Sequence, residues 1–413
     1  MMDHIKIGFF LANRQVRRAS KWTTGLIIFV MVLTFLNLTV VSGVLVGLIE
    51  SSIKAERQYY TSDVLLSTPD KKEYIENTSN IIEMIKSLPE MEMYSPRYSE
   101  AGTIEANFKE NTKVTDKEVS GVVFTGIDPD TENKLTGISK FVVEGSYLNA
   151  DDFDQVMIGS LFVKKYSPVE AAGFTALNVK AGDKIRITVN GITREMTVKG
   201  IVKSKVNEVS TRVYLPEKQL RELIGRDDYN VDDIAIKLKD GADPIVVKEA
   251  LIKAGANKYA KIQTYEDAQP KFLKDIKDTF ALLGNMISSI GLVVASITIF
   301  IVIFINAITR RKFIGIMKGI GIHGNVIEIS YVFQSMFYAI CGSFIGLLIL
   351  YGFLVPFIDA HPIDFPFSDG ILVATVSGTS IRIGLLIFAT LIAGYIPARM
   401  IVRKNTLDAI LGR

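Results

Sequence analysis

The sequence is poor in residues that support disulfide bonding, metal binding or catalysis. Its 413 residues include one cysteine, Cys341, and three histidines. A single cysteine excludes an intrachain disulfide, so any soluble part must be stabilised by an ordinary apolar core. The histidines lie in three separate segments, at His4, His323 and His361, and predict no shared metal site.

Common nucleotide-binding and hydrolase motifs are also absent from the sequence. It contains no Gly-x-x-x-x-Gly-Lys-Ser/Thr phosphate loop, no Gly-x-Ser-x-Gly and no His-Glu-x-x-His. The net charge of +3 is too small to indicate nucleic-acid binding. We therefore expect no catalytic residue, metal or cofactor on this chain, and no enzymatic activity of its own.

Long apolar segments, in contrast, are abundant. They predict transmembrane helices at residues 22–49, 279–309, 326–358 and 382–400. The first three exceed the roughly 20 residues that cross a bilayer. The polar residues 50–278 lie between the first and second spans, so the sequence predicts four helices in a 1 + 3 arrangement with a large inserted head.

The first apolar segment has some features of a signal peptide. It follows Arg14, Arg17, Arg18 and Lys21, as an apolar signal region would. However, it is longer than the usual 7–15 residues of such a region, and no Ala-x-Ala cleavage site follows it. We interpret it as a retained transmembrane helix.

Basic residues predict the orientation of the spans. They cluster in residues 1–21, 310–325 and 401–413, whereas the 359–369 stretch between the third and fourth spans has no Lys or Arg. The positive-inside rule then places both termini and the 310–325 loop in the cytoplasm. The head and the outer loop, residues 359–381, are expected on the opposite side.

Arg382 interrupts the apolar run of the fourth span. A charge inside the bilayer is costly, so we interpret Arg382 as an interfacial residue whose side chain reaches towards the headgroups. The alternative is a buried charge in a translocation path.

The head shows mixed helical and strand patterns and is predicted to be an α+β domain. Residues 184–189 and 192–201 alternate around Asn190-Gly191, which predicts a β-hairpin. A β-rich subdomain is expected at about residues 141–205. Helices are predicted at 77–88, 216–224 and 244–253, with strands at 121–127 and 233–238.

Helix-compatible polar residues continue past the first span and precede the second. These are residues 50–59 and 271–280, with Pro270 as a helix start. Neither junction is a Gly/Ser-rich tether. Two interpretations remain open, a stiff stalk leading into the head or simple solvated helix ends.

The loop after the second span carries an amphipathic pattern. Phe313, Ile316, Met317 and Ile320 recur at helical spacing, with basic residues between them. Such a helix could lie on the membrane surface or dock in a groove of a partner.

This loop resembles the signature of the FtsX-like, MacB-type permeases of ABC transporters. Their pattern, Arg-x-x-Glu-Ile-Gly-Ile-x-Lys-Ala-x-Gly, is similar to residues 310–321, with Phe313 in place of Glu and Gly319 in place of Ala. Tyr395-Ile-Pro-Ala-Arg399, followed by residues 407–410, is similar to the closing motif of the family. In the head, Asp128-Pro129 and residues 156–160 and 179–185 resemble the MacB-type extracytoplasmic core domain.

The resemblance implies a function. The 310–325 loop would be a coupling helix that docks on a separate ABC ATPase, which carries the ATP and Mg²⁺. Its apolar anchors would be Phe313, Ile316, Met317 and Ile320. Ile314 belongs to the same helix, and Arg311, Lys312 and Lys318 would lie nearer the rim. The family works as a dimer, so a second copy or a paralogue is expected in a bacterial inner membrane.

The resemblance leaves the cargo open. Length, the basic start and the head size are similar to those of lipoprotein-releasing permeases, which implies a lipoprotein, lipid or other periplasmic cargo. Drug or peptide efflux with a periplasmic adaptor is an alternative. A third is a transducer that regulates a cell-wall hydrolase without transport.

Overall fold

The computed structural model describes residues 2–109, 118–167, 175–269, 271–365, 368–370 and 372–403. The chain divides into two compact units. The first comprises residues 1–50, 272–364 and 369–413, and the second comprises residues 51–271 and 365–368. Pro270 and residues 404–413, including the tail part of the family motif, lie outside the described residues.

The first unit is helical. Four of its helical segments are long and apolar enough to span a membrane: Lys21–Thr61, Lys274–Thr309, Gly324–Ala360 and Val376–Val402. Its helices are α1 (Met2–Arg18), α2 (Lys21–Leu36), α3 (Ser42–Glu56, which continues into the second unit), α9 (Lys271–Thr309), α10 (Arg311–Gly319), α11 (Gly324–Ile349), α12 (Val355–Ala360) and α13 (Val376–Val402). A short strand pair, β11 (Ile363–Phe365) and β12 (Ser368–Gly370), follows α12. The predicted four-helix membrane part is confirmed.

Small residues allow close contact between α2 and α11. A Cβ atom at Gly342 would clash with Met31, and one at Gly346 would clash with the ring of Phe35. Close approach through small residues is the usual way in which membrane helices pack, because burial of apolar surface gains little inside lipid.

The helix of the fourth span begins at Val376, six residues before Arg382. Thr375 caps it by accepting a hydrogen bond from the Gly378 N–H at 3.2 Å. Arg382 therefore lies within the helix, and its guanidinium donates to Ser42 Oγ at 2.7 Å. Its polar partner is a side chain of the first span.

The second unit is an α+β domain, as the sequence predicts, and it is built on one ten-stranded sheet. Nine strands follow the order β10-β1-β9-β2-β3-β8-β5-β7-β4, and β6 pairs with β2 and β7. The strands are β1 (Val64–Ser67), β2 (Met91–Ala106), β3 (Glu118–Ile127), β4 (Val142–Gly145), β5 (Gln155–Gly159), β6 (Lys184–Val189), β7 (Ile192–Val202), β8 (Arg212–Pro216), β9 (Asp233–Leu238) and β10 (Lys261–Thr264). The helices are α4 (Thr78–Lys86), α5 (Pro129–Thr136), α6 (Asn207–Ser210), α7 (Glu217–Ile224) and α8 (Pro244–Lys253).

The long strand β2 pairs with both parts of the sheet. Its first part, Met91–Arg97, pairs with β9, and its second part, Tyr98–Ala106, pairs with β3. Sixteen consecutive residues thus join the strand group of β1, β9 and β10 to the larger group around β7. Apolar side chains from both groups, such as Ile236 and Phe124, belong to one buried core.

The hairpin predicted at Asn190-Gly191 is confirmed. β6 and β7 pair antiparallel from Val189↔Ile192 to Lys184↔Thr197. Asn190 and Gly191 have φ angles of +47° and +76°, which this tight turn requires of both residues. The strands that the structure describes within residues 141–205 belong to the ten-stranded sheet, so the β-rich segment is part of the head core.

Candidate coupling site

The helix α10 follows the second span after one residue, and its buried side packs against the membrane helices of the first unit. Ile314 and Gly315 are buried, and Ile314 belongs to the apolar core of the membrane helices. Met317 is partly buried against the same core. Met317, which the sequence pattern grouped with the docking residues, therefore also packs α10 against the membrane helices.

The opposite side of α10 presents three large apolar side chains to solvent. Phe313, Ile316 and Ile320 are 66%, 52% and 72% exposed. Phe313 and Ile316 lie three residues apart on one face of α10, and Ile320 caps the helix four residues later, with its N–H bonded to the Ile316 carbonyl at 3.0 Å. We call these three residues the docking face. Lys312 is exposed beside it.

The end of α10 is tied to the end of the fourth span. The Lys318 ammonium donates to the Val402 carbonyl, the last residue of α13, at 2.9 Å. Gly321, with φ of +94°, then turns the chain out of the helix. Arg311 and Lys318 each make a further interaction. Lys318 thus has a positioning role in addition to the rim position implied by the family resemblance.

Substitution of Lys318 is expected to loosen this attachment. Lys318→Ala removes a charged donor from a helix-end carbonyl, so we expect a loss of about 1 kcal/mol in unfolding free energy. Lys312→Ala is the matched control, because Lys312 is an exposed residue of the same helix. Thermal unfolding of both variants in the same detergent measures the difference, and equal midpoints would contradict this role of Lys318.

The first and second spans pack along each other. Ser288 Oγ donates to the Leu38 carbonyl at 3.4 Å, and a Cβ at Gly284 would touch Ser42. Further along, Lys277 forms an ion pair with Glu50 at 3.2 Å. Both helices continue beyond the predicted apolar segments, since α3 reaches Glu56 and α9 begins at Lys271.

Within the head, the strands next to these two helices are neighbours. β1 and β10 pair antiparallel, with Val64 opposite Thr264. Arg57 donates to Asp63 Oδ1 from Nε at 2.8 Å, and its guanidinium lies 4.3 Å from the centre of the Tyr265 ring. Asp63 Oδ2 accepts from the Leu238 N–H at 2.7 Å. We call α3 and the residues up to β1 the entering helix, and the residues from β10 to α9 the leaving segment. The two are joined within the head by both backbone and side-chain contacts.

A buried ion pair holds the end of the entering helix to the sheet. Arg97 on β2 and Glu132 on α5 are 1% and 3% exposed, and their closest atoms are 2.8 Å apart. Arg97 Nη2 also donates to the Tyr60 carbonyl at 2.8 Å, and Ser95 Oγ donates to Glu132 at 2.7 Å. We call Tyr60, Arg97, Glu132 and Arg212 the joint cluster.

Arg212 completes the joint cluster from β8. Its guanidinium donates to the Tyr60 hydroxyl. Burial lowers the pKa of Arg212, but the nearby Tyr60 and Asp233 outweigh this effect and the pKa is raised overall. Arg212 therefore stays charged, and two arginines from different strands converge on one residue at the end of the entering helix.

The sequence pattern did not predict the joint cluster. The one local signal in the sequence is the spacing of Ser95 and Arg97, which places both on the same side of a strand. The structure shows that both are buried. Among the described residues, no group of three or more His, Cys, Asp or Glu side chains could hold a metal ion.

Comparison with known proteins identifies the family. The chain matches the MacB-like periplasmic core domain over residues 23–254 and the FtsX-like permease C-terminal domain over residues 285–406. It is 25% identical over 244 residues to an uncharacterized ABC transporter permease of Methanocaldococcus jannaschii, covering 57% of this chain and 58% of that one. It is 24% identical over 308 residues to the macrolide export ATP-binding/permease protein MacB of Campylobacter jejuni, covering 70% and 46%.

The chain thus spans about half the length of these curated relatives, 58% and 46%. The crystal structure of the periplasmic region of MacB from Actinobacillus actinomycetemcomitans aligns with a TM-score of 0.34 at 16% identity, covering 51% of this chain and 92% of that one. The two family matches together cover most of both units of the molecule. This multi-pass membrane protein therefore belongs to the FtsX-like, MacB-type family of ABC transporter permeases.

Proposed function

We propose that this chain couples ATP hydrolysis by a separate ABC ATPase to movement of its head. The observation that carries the proposal is the docking face, because Phe313, Ile316 and Ile320 leave a compact apolar surface exposed on a helix fixed by Ile314 and Lys318. Large apolar residues at i, i+3 and i+7 are typical of a helix that inserts into a groove of a partner. ATP and Mg²⁺ would be bound by that partner.

The route to the head is the pair of long helices. Docking and release of the ATPase would move α10, which follows α9 after a single residue. α3 and α9 continue into residues whose strands, β1 and β10, are neighbours in one sheet. A movement of either helix would be passed to the sheet through these segments, neither of which has the Gly/Ser-rich sequence of a flexible tether. This mechanotransmission needs no cargo passage between the spans.

Topology completes the proposal. Basic residues at 1–21, 310–325 and 401–413 support cytoplasmic termini and a cytoplasmic α10, with the head outside. A second copy or a paralogue would complete the dimer, as closed two-fold assemblies are the commonest oligomers. Membrane lipid surrounds the spans, whose exposed apolar residues include Ile290, Val294 and Ile301.

The cargo is proposed to be a lipoprotein, a lipid or another molecule on the outer side of the membrane. The named export function of the MacB relatives favours a second candidate, efflux of a drug or peptide with a periplasmic adaptor. A transducer that regulates a cell-wall hydrolase is the third. These candidates share the same coupling step.

Co-purification tests the proposal. The full chain, co-expressed with a candidate ABC ATPase of the same organism, is expected to yield a stable complex in detergent whose ATP hydrolysis depends on both components. A second permease in the complex indicates a heterodimer, and a bound adaptor favours efflux. Failure to form a complex with that ATPase, in detergent and in nanodiscs, would contradict the proposal.

A further inference from the structure

A cavity of about 490 Å³ opens in the head beside the end of the entering helix. It is lined by basic residues from the entering helix, from α5 and the turn that follows it, and from β9: Lys54, Arg57, Lys134, Lys140 and Lys237. Asp63 is the one carboxylate among the described residues that line it. The cavity has no role in the coupling step described above.

Two of these basic residues form ion pairs with carboxylates. Arg57 pairs with Asp63, and Lys237 pairs with Glu92 at 2.8 Å. Within the described part of the chain, Lys54, Lys134 and Lys140 have no carboxylate at ion-pair distance, and all three are exposed. Three uncompensated ammonium groups on one cavity repel one another, and a bound anion would relieve that repulsion.

The position of Lys54 indicates where the anion comes from. Lys54 follows Ile49, the predicted end of the first span, by five residues of the continuous helix α3. At 1.5 Å per residue this is a rise of about 7.5 Å. The headgroup layer extends roughly 5–8 Å beyond the hydrocarbon core on each side, so Lys54 lies at headgroup depth.

We propose that this cavity binds the phosphate of an anionic phospholipid headgroup. Lysines bind phosphate as point charges, and clustered basic residues beside a span attract anionic lipid. Lys54, Lys134 and Lys140 would contact the phosphate, and Arg57 would contribute its remaining N–H groups. The assignment goes beyond the coupling function and holds whether or not an ATPase docks on α10.

Thermal unfolding of the full chain in nanodiscs tests the assignment. Discs of phosphatidylcholine are compared with discs that also contain phosphatidylglycerol, because a ligand that binds the folded state raises the unfolding temperature. We expect phosphatidylglycerol to raise it for the wild type and not for Lys134→Ala/Lys140→Ala. In detergent, that variant should bind short-chain phosphatidylglycerol roughly tenfold or more weakly.

The matched control is Lys253→Ala/Lys258→Ala. Both lysines are exposed on the head and do not line the cavity. This control should respond to phosphatidylglycerol as the wild type does, and an equal response of all three proteins would overturn the site. Inorganic phosphate in detergent separates the two sources of anion. If it gives the full effect and the lipid adds nothing, the lipid assignment is wrong.

Discussion

Ile316→Asp combined with Ile320→Asp is expected to abolish assembly with the ATPase. The two side chains are 52% and 72% exposed, so the substitutions should leave the fold of the permease intact. In the complex, however, each would place a carboxylate in an apolar groove, where an unpaired charge is strongly disfavoured. We expect co-purification to be lost and ATP hydrolysis by the mixture to fall at least about tenfold, since each buried apolar anchor contributes about 1.5–3 kcal/mol.

Two further variants make this result specific. Val246→Asp places the same charge on an exposed apolar residue of the head and should preserve assembly. Met317→Asp is less informative, because Met317 packs partly against the membrane core and its substitution should also lower stability. Retention of the complex by the Ile316/Ile320 variant would refute the docking face.

Arg97→Ala is expected to have the largest effect on the stability of the head. It leaves Glu132 buried without its cation, which typically costs about 3–5 kcal/mol. The Tyr60 carbonyl would lose its donor as well. The loss of stability is measured as the change in unfolding free energy of the full chain, with circular dichroism as the signal for unfolding of the sheet. Lys72→Ala, which breaks the exposed Lys72–Glu76 pair, is the control and should not move the transition.

A paired substitution separates stability from coupling. Arg97→Met with Glu132→Leu replaces the ion pair by apolar side chains, and such replacements are often neutral or stabilising. We expect this variant to recover most of the stability lost in Arg97→Ala. It still lacks the hydrogen bond to Tyr60, so ATP-driven movement of the head should be reduced. If the single variant unfolds like the wild type, the joint cluster has no anchoring role.

The parts of the fold that the sequence predicts are those set by local rules. Four apolar segments of bilayer length predict four helices, and Asn190-Gly191 predicts a hairpin because both residues tolerate positive φ. Such local rules do not predict β2. Pro96 and Gly102, two residues that are unfavourable inside a strand, interrupt its sequence pattern. Its two parts pair with strands that are far apart in sequence. Only the sheet as a whole makes these 16 residues a single strand.

The same distinction applies to the functional residues. Helical spacing on residues 310–320 predicts an amphipathic helix, but it does not say which side of the apolar stripe is covered. The partner of Lys318 is Val402, and the partner of Arg97 is Glu132, both distant in sequence. Arg97 is buried because folding brings Glu132 and Tyr60 to it, so its spacing from Ser95 does not identify it as a buried cation.

A distance measurement tests most directly whether ATP hydrolysis by an ATPase docked on α10 moves the head. Because Cys341 is the only cysteine, Cys341→Ser provides a background for spin labels at Lys21→Cys and Lys253→Cys, both exposed positions. Distances are measured by pulsed electron resonance in the ATPase complex, without nucleotide and after ATP trapping with vanadate. We expect a shift in the distance distribution on trapping, and a smaller shift in the Arg97→Met/Glu132→Leu variant. An unchanged distribution in a complex that hydrolyses ATP would contradict this expectation.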